Sequence, residues 1–220
     1  MYELIFSPQY INKDKKILIP LGFFFVILSY IIQTYLDIDL FRSRVSLYFI
    51  LTLLISQITT KLFEMFEFEE EIKELKIRDF LEIYILLSIG ILLGFLVIPQ
   101  NFSISFSPTG IEYILVNNLK LAYTFFVLSF LFGIGSEFLL AYNLDILAYA
   151  IKQKPILLPL AMLEFAGFLL FSLAGGILSI SIIRNSLNKY ILIDIAKILL
   201  FGTAILITSY IIELSMIYFL

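Results

Sequence analysis

Residues 155–183 read PILLPLAMLEFAGFLLFSLAGGILSISII, and this stretch decides the fold. It holds one ionisable side chain, Glu164, and exceeds the ~20 apolar residues with which a helix crosses a bilayer. Lipid offers its peptide groups no partner outside the segment, so the run must be helical. Working outward, the runs 17–35, 45–63, 80–98, 119–141 and 191–219 have the same character. The sequence therefore predicts an all-α polytopic transmembrane helical bundle, with about six spanning helices and a short charged cytoplasmic helix. Composition agrees, since only 15% of residues are charged where a soluble domain carries about 25%. The apolar runs fill the chain, so 1–220 is expected to be a single membrane domain. The runs 155–183 and 191–219 exceed the length of one crossing, which predicts tilt or a break.

Orientation follows from Lys and Arg near the span ends. With the first segment inside, the inner face collects Lys13, Lys15, Lys16, Lys61, Lys73, Lys76, Arg78, Lys152 and Lys154. The outer face collects Arg42, Arg44, Lys120, Arg184, Lys189 and Lys197, and the outer loop 99–116 has neither Lys nor Arg. This predicts a cell-membrane protein with both termini cytoplasmic. The first apolar run is too long for a signal-peptide core and no small-residue cleavage site follows it, so it is expected to be retained. Trp is absent, and Tyr10, Tyr35, Tyr48, Tyr84, Tyr113, Tyr142, Tyr190 and Tyr218 near span ends are expected to form the interfacial belt.

Several chemistries are excluded. The chain has no cysteine and no histidine, which removes disulfides, thiol nucleophiles, the commonest general base and the commonest metal ligands. No cofactor and no metal site are expected. A net charge of −3 argues against nucleic acid as a partner. Gly133-Ile134-Gly135-Ser136 supplies the glycines of an aspartyl intramembrane protease motif but not its acid, there is no P-loop, and Glu69-Glu70-Glu71 has no histidine partner. Catalysis is not expected.

The segment 64–79 combines an apolar stripe (Met65, Phe66, Phe68, Ile72, Leu75) with the pairs Glu69–Lys73 and Glu74–Arg78 at i,i+4 spacing. It reads as a charged extension preceding the third span. Its net acidity is repelled by an anionic leaflet, so any docking there is expected on protein partners. Residues 101–107 alternate serine with Phe102, Ile104 and Phe106, predicting a short extended stretch, and Asn101-Phe102-Ser103 forms a glycosylation sequon. Gly90 and Gly94 form a GxxxG in the third span. Close packing within the chain is the default reading, and the motif also permits a homodimer.

Ionisable groups inside a span are functional candidates. Glu164 lies roughly nine residues into its run, about 14 Å at 1.5 Å per residue, where a carboxyl is neutral unless something pairs with it. For Glu164 and Glu213, a functional site and a buried structural acid are equally compatible with the sequence. For Glu137, Asp194 and Lys197, snorkelling to the interface is the favoured reading. Pro159 is expected to distort the helix about one turn before Glu164, and Asn117 and Asn118 are expected to cap the fourth helix. Gly133, Gly135, Gly175 and Gly176 permit close helix approach or a break in the helix.

Read in order, one set of residues carries a resemblance. Asn117-Asn118 opens the fourth span and Lys120-Leu121-Ala122 follows. Gly133 and Gly135 sit in that span, Asn143 comes just after it, and Pro159 precedes Glu164 by five residues. Ala174-Gly175-Gly176 and Ile182-Ile183-Arg184 complete the set. From 117 to 220 the chain resembles the SpoIIM (stage II sporulation protein M, DUF95) family, in its archaeal branch. The family pattern has His and Gly where Leu160 and Ala161 stand here, so a mechanism that depends on that His does not transfer. The resemblance implies a non-enzymatic scaffold for cell-envelope or membrane-remodelling partners. The intramembrane acids point instead to a small ion-coupled transporter or permease using Glu164, although no inverted repeat is visible in the sequence.

Overall fold

The computed structural model describes residues 15–35, 44–70, 77–99, 111–132, 135–183, 185 and 187–219. They form seven α-helices and no strand: α1 Leu18–Tyr35, α2 Arg44–Glu70, α3 Ile77–Val97, α4 Ile111–Phe132, α5 Gly135–Gln153, α6 Leu158–Ile183 and α7 Lys189–Phe219. Short 3-10 turns at Lys15–Ile17 and Pro155–Leu157 lead into α1 and α6. The extended stretch expected at 101–107 lies outside the described residues, as do residues 71–76 of the charged segment; α2 continues through 64–70.

Among the described residues, four helices are long and apolar enough to cross a membrane: Lys15–Tyr35, Ile114–Leu131, Leu158–Ile183 and Lys189–Ser215. The chain is a helical membrane protein, but the expected six spans are not met by apolar length. α2 and α3 hold shorter apolar stretches, Arg44–Ser56 and Leu81–Val97. The run expected at 119–141 is two helices, because the helix ends at Phe132 and a new one begins at Gly135.

The helix ends carry local signals. Pro159 is the second residue of α6, where a missing N–H interrupts no interior bond; the expected distortion beside Glu164 is absent. α6 stops at Asn185, which takes the left-handed conformation (φ 55°) with its N–H on the Ile182 carbonyl. Asn188 then opens α7, its side-chain oxygen accepting from the N–H groups of Tyr190 and Ile191 at 2.9 and 3.0 Å. Asn117 and Asn118 do not cap α4. The helix begins at Ile111, which places both asparagines well inside it.

The described residues divide into two compact units. The first comprises Met1–Pro99 with Glu137–Tyr149. Here α1 and α3 run parallel: Lys15 pairs with Glu82 at 2.8 Å, Gly22 meets Leu87 and Ile91, and Gly94 meets Val26. Gly90 abuts the Ile19 backbone, so the GxxxG face packs on α1 of the same chain. α2 runs back alongside this pair, with Gln33 bonded to Ser46 and Tyr48 edge-on to Phe95 of α3.

The second unit comprises Gln100–Ser136 with Ala150–Leu220. α4 and α6 also run parallel, shown by the ordered contacts Asn118–Glu164, Phe125–Phe168 and Ser129–Gly176. Gly175 presses on the Phe126 carbonyl, so the α4 and α6 backbones touch there. α7 runs antiparallel to α6, with Leu206 against Gly167 and Gly202 against Phe171. Since lipid is as apolar as the helix faces, such close van der Waals packing and buried hydrogen bonds supply the association energy.

Candidate functional site

In the second unit, three helices bring polar groups together inside apolar spans. Glu164 of α6 accepts a hydrogen bond from the side-chain amide of Asn118 on α4 at 2.7 Å. Ser209 of α7 is fully buried and lies close to the same carboxyl without completing a hydrogen bond to it. Glu213 follows Ser209 by four residues and so shares its face of α7. Its Oε2 is buried with no hydrogen-bond partner. The result is two carboxyls, an amide and a hydroxyl held by three separate helices. The carboxyls can accept a proton, and the carboxyls and the hydroxyl can hold a small hard cation by oxygen.

The predicted site residues separate accordingly. Asn118 and Glu164 come together. Gly175 and Gly176 line the same α4–α6 seam, against Phe126 and Ser129. They are 11 and 12 residues beyond Glu164, or roughly 16–18 Å along the helix. Asn117 and Pro159 are exposed. Asn143 belongs to the other unit, where its amide donates to the Leu139 carbonyl of its own helix. Gly135 is the first residue of α5, and Gly133 lies outside the described residues. Leu160 is half-buried four residues before Glu164. Asp194 and Lys197 form a largely exposed pair at 3.0 Å.

The first unit holds a second polar seam, between α2 and α5. Asp145 is 0% exposed, accepts a hydrogen bond from the Tyr48 hydroxyl at 2.8 Å and pairs with Arg44 at 3.3 Å. Arg44 also donates to the Pro99 carbonyl. Glu137 is 1% exposed, and the Thr59 hydroxyl donates to its Oε1, while Oε2 has no hydrogen-bond partner. Snorkelling at Glu137 is thereby corrected: the acid is enclosed by protein. Tyr48 and Tyr84 are buried rather than interfacial. Sequence reasoning missed Asp145, Arg44, Tyr48, Thr59 and Ser209 as site residues. The available signals were the i,i+4 spacing of Ser209 to Glu213 and the acid of Asp145 within a helical apolar pattern.

These arrangements define a polytopic helical membrane protein with carboxyl groups buried between its helices. Comparison with known proteins finds no matching family model, no similar curated protein and no similar solved structure. Among the described residues no cluster of three or more acidic, histidine or cysteine side chains could hold a metal ion.

Proposed function

We propose that this is a non-enzymatic multi-pass protein of the cell membrane acting as a small ion-coupled permease, with Glu164 as the coupling group. One observation carries the reading: Asn118, Glu164, Ser209 and Glu213 converge from three helices, each a candidate membrane span. Intramembrane acids that face protein rather than lipid mark proton and ion pathways. Carboxyls withdrawn from water with no basic partner are relieved by a proton or a small monovalent cation. Supporting this, each unit contains a parallel helix pair closed at glycines, and internal repetition is a common plan among secondary transporters. The test is flux in proteoliposomes under an imposed proton or sodium gradient. The wild type should dissipate at least one gradient and Glu164→Gln should not. A wild type silent to both, or a variant as active as wild type, overturns the proposal.

A second reading is the SpoIIM-like scaffold for cell-envelope partners, which the ordered residues from Asn117 to Arg184 suggest. It is favoured by α2, which stays helical to Glu70, seven residues past the end of the expected span at Phe63. Those residues include four glutamates, Glu64, Glu67, Glu69 and Glu70, and extend the helix by about 10 Å as a charged segment for protein partners. Deleting 64–79 should then remove co-purifying partners while leaving flux intact. Unchanged partner recovery rejects this second reading.

A further inference from the structure

We propose that α5 crosses the membrane although it is not apolar enough to qualify by composition. The chain then makes seven crossings, and the segment before α1 and the end of α7 face opposite sides. The argument starts from α4 and α6. They run parallel and both are candidate spans, so the chain leaves α4 at one face and enters α6 at the other. Only α5 lies between them, and irregular backbone does not traverse hydrocarbon. Its 19 residues measure about 28 Å at 1.5 Å per residue, against a hydrocarbon core of about 30 Å.

The polar groups that disqualify α5 by composition are withdrawn from lipid. Asp145 is enclosed with Arg44 and Tyr48, Glu137 with Thr59, and the Asn143 amide bonds its own helix. α3 is a shorter apolar helix, but it packs parallel along the candidate span α1 from Lys15–Glu82 to Val26–Gly94 and so crosses with it; α2, the helix between them in the chain, must then cross back. Between α3 and α4 stand only about 13 residues, Pro99 and Pro108 among them. As a helix they would reach only about 20 Å, too short to cross. α6 and α7 are antiparallel neighbours.

The charges give independent support. With seven crossings and the first segment inside, Arg184, Lys189 and Lys197 move to the inner face, while only Lys152 and Lys154 move out. The positive-inside bias therefore strengthens relative to six crossings. The loop before α4, free of Lys and Arg, stays outside.

The absence of native cysteine makes the test clean. Single variants Asn12→Cys, Lys154→Cys, Ser186→Cys and Leu220→Cys are labelled with a membrane-impermeant maleimide, in sealed vesicles of each orientation. Asn12→Cys and Ser186→Cys should react only from the cytoplasmic face, and Lys154→Cys and Leu220→Cys only from the opposite face. Lys154→Cys reacting from the same face as Asn12→Cys, or from both faces, overturns the proposal. For a cysteine that fails to label, a phosphatase fused after that residue in a bacterial host decides. Activity after Lys154 and Leu220 supports seven crossings, and inactivity at either rejects them.

Discussion

Gly22→Ala tests the close approach of α1 and α3, on which both the fold and the topology rest. A Cβ built at Gly22 falls 2.7 Å from the Leu87 carbonyl oxygen and 3.0 Å from the Ile91 nitrogen, both of them backbone atoms of α3. Ordinary contact begins near 3.4 Å, so the two helices must part by about 0.7 Å. A gap of 0.5–1 Å forfeits about a quarter to a half of each dispersion contact along the seam. Overpacking of this kind costs about 1–3 kcal/mol. Alanine also gains about 0.5–1 kcal/mol of intrinsic helix preference over glycine, which would blur a comparison with wild type alone. Gly176→Ala carries the same gain, but its Cβ meets only the Ser129 hydroxyl, at 3.4 Å. The difference between the two variants therefore isolates the clash. On the scale of domains of this size, 1–3 kcal/mol is a shift of about 2–12 °C. The assay is the loss of monodisperse protein on heating in detergent. Gly22→Ala should melt clearly below Gly176→Ala; equal melting temperatures would refute the close crossing.

Four further outcomes are expected. Asp145→Ala leaves the Arg44 guanidinium and Tyr48 hydroxyl without their acid and should destabilise by on the order of 3 kcal/mol. The pair Arg44→Met with Asp145→Leu should recover most of that loss in the same melting assay. Thr59→Val removes the donor to buried Glu137 and should cost about 1–3 kcal/mol; Thr59→Ser should stay near wild type. Asn188→Ala removes the α7 cap and should cost about 1 kcal/mol, read as faster backbone hydrogen exchange at Tyr190 and Ile191. Asn118→Leu strips Glu164 of its donor and should abolish gradient-driven flux while the protein remains monodisperse; undiminished flux would detach Asn118 from the coupling site.

The all-helical membrane class was legible because hydropathy is a local property of the chain. The run 155–183 is matched closely by the turn Pro155–Leu157 and the helix Leu158–Ile183. The division of the run 119–141 between α4 and α5 was half legible, because Gly133 and Gly135 permit a break as readily as a close approach and nothing local decides between them. α5 was missed for a different reason. Its acids look like interface groups until Arg44, Tyr48 and Thr59, far away in sequence, are folded against them. Glu164 stood out as a lone acid in an apolar run. Its partnership with Asn118 did not, because an asparagine before an apolar stretch reads first as a helix cap. What a residue meets across a seam depends on tertiary register, which a single sequence does not encode locally.

The enclosure of α5 has a consequence for biosynthesis. Asp145 is held by Tyr48, 97 positions earlier in the chain, and Glu137 by Thr59, 78 positions earlier. When α5 emerges from the ribosome, α2 is already made and stands ready with the partners that hide both acids. The insertion machinery therefore meets a helix whose admission depends on what has been delivered before it rather than on its own hydrophobicity. Reversing the order of the two halves in a permuted gene would leave every native contact available in principle. It would also present α5 to the membrane before its escort existed.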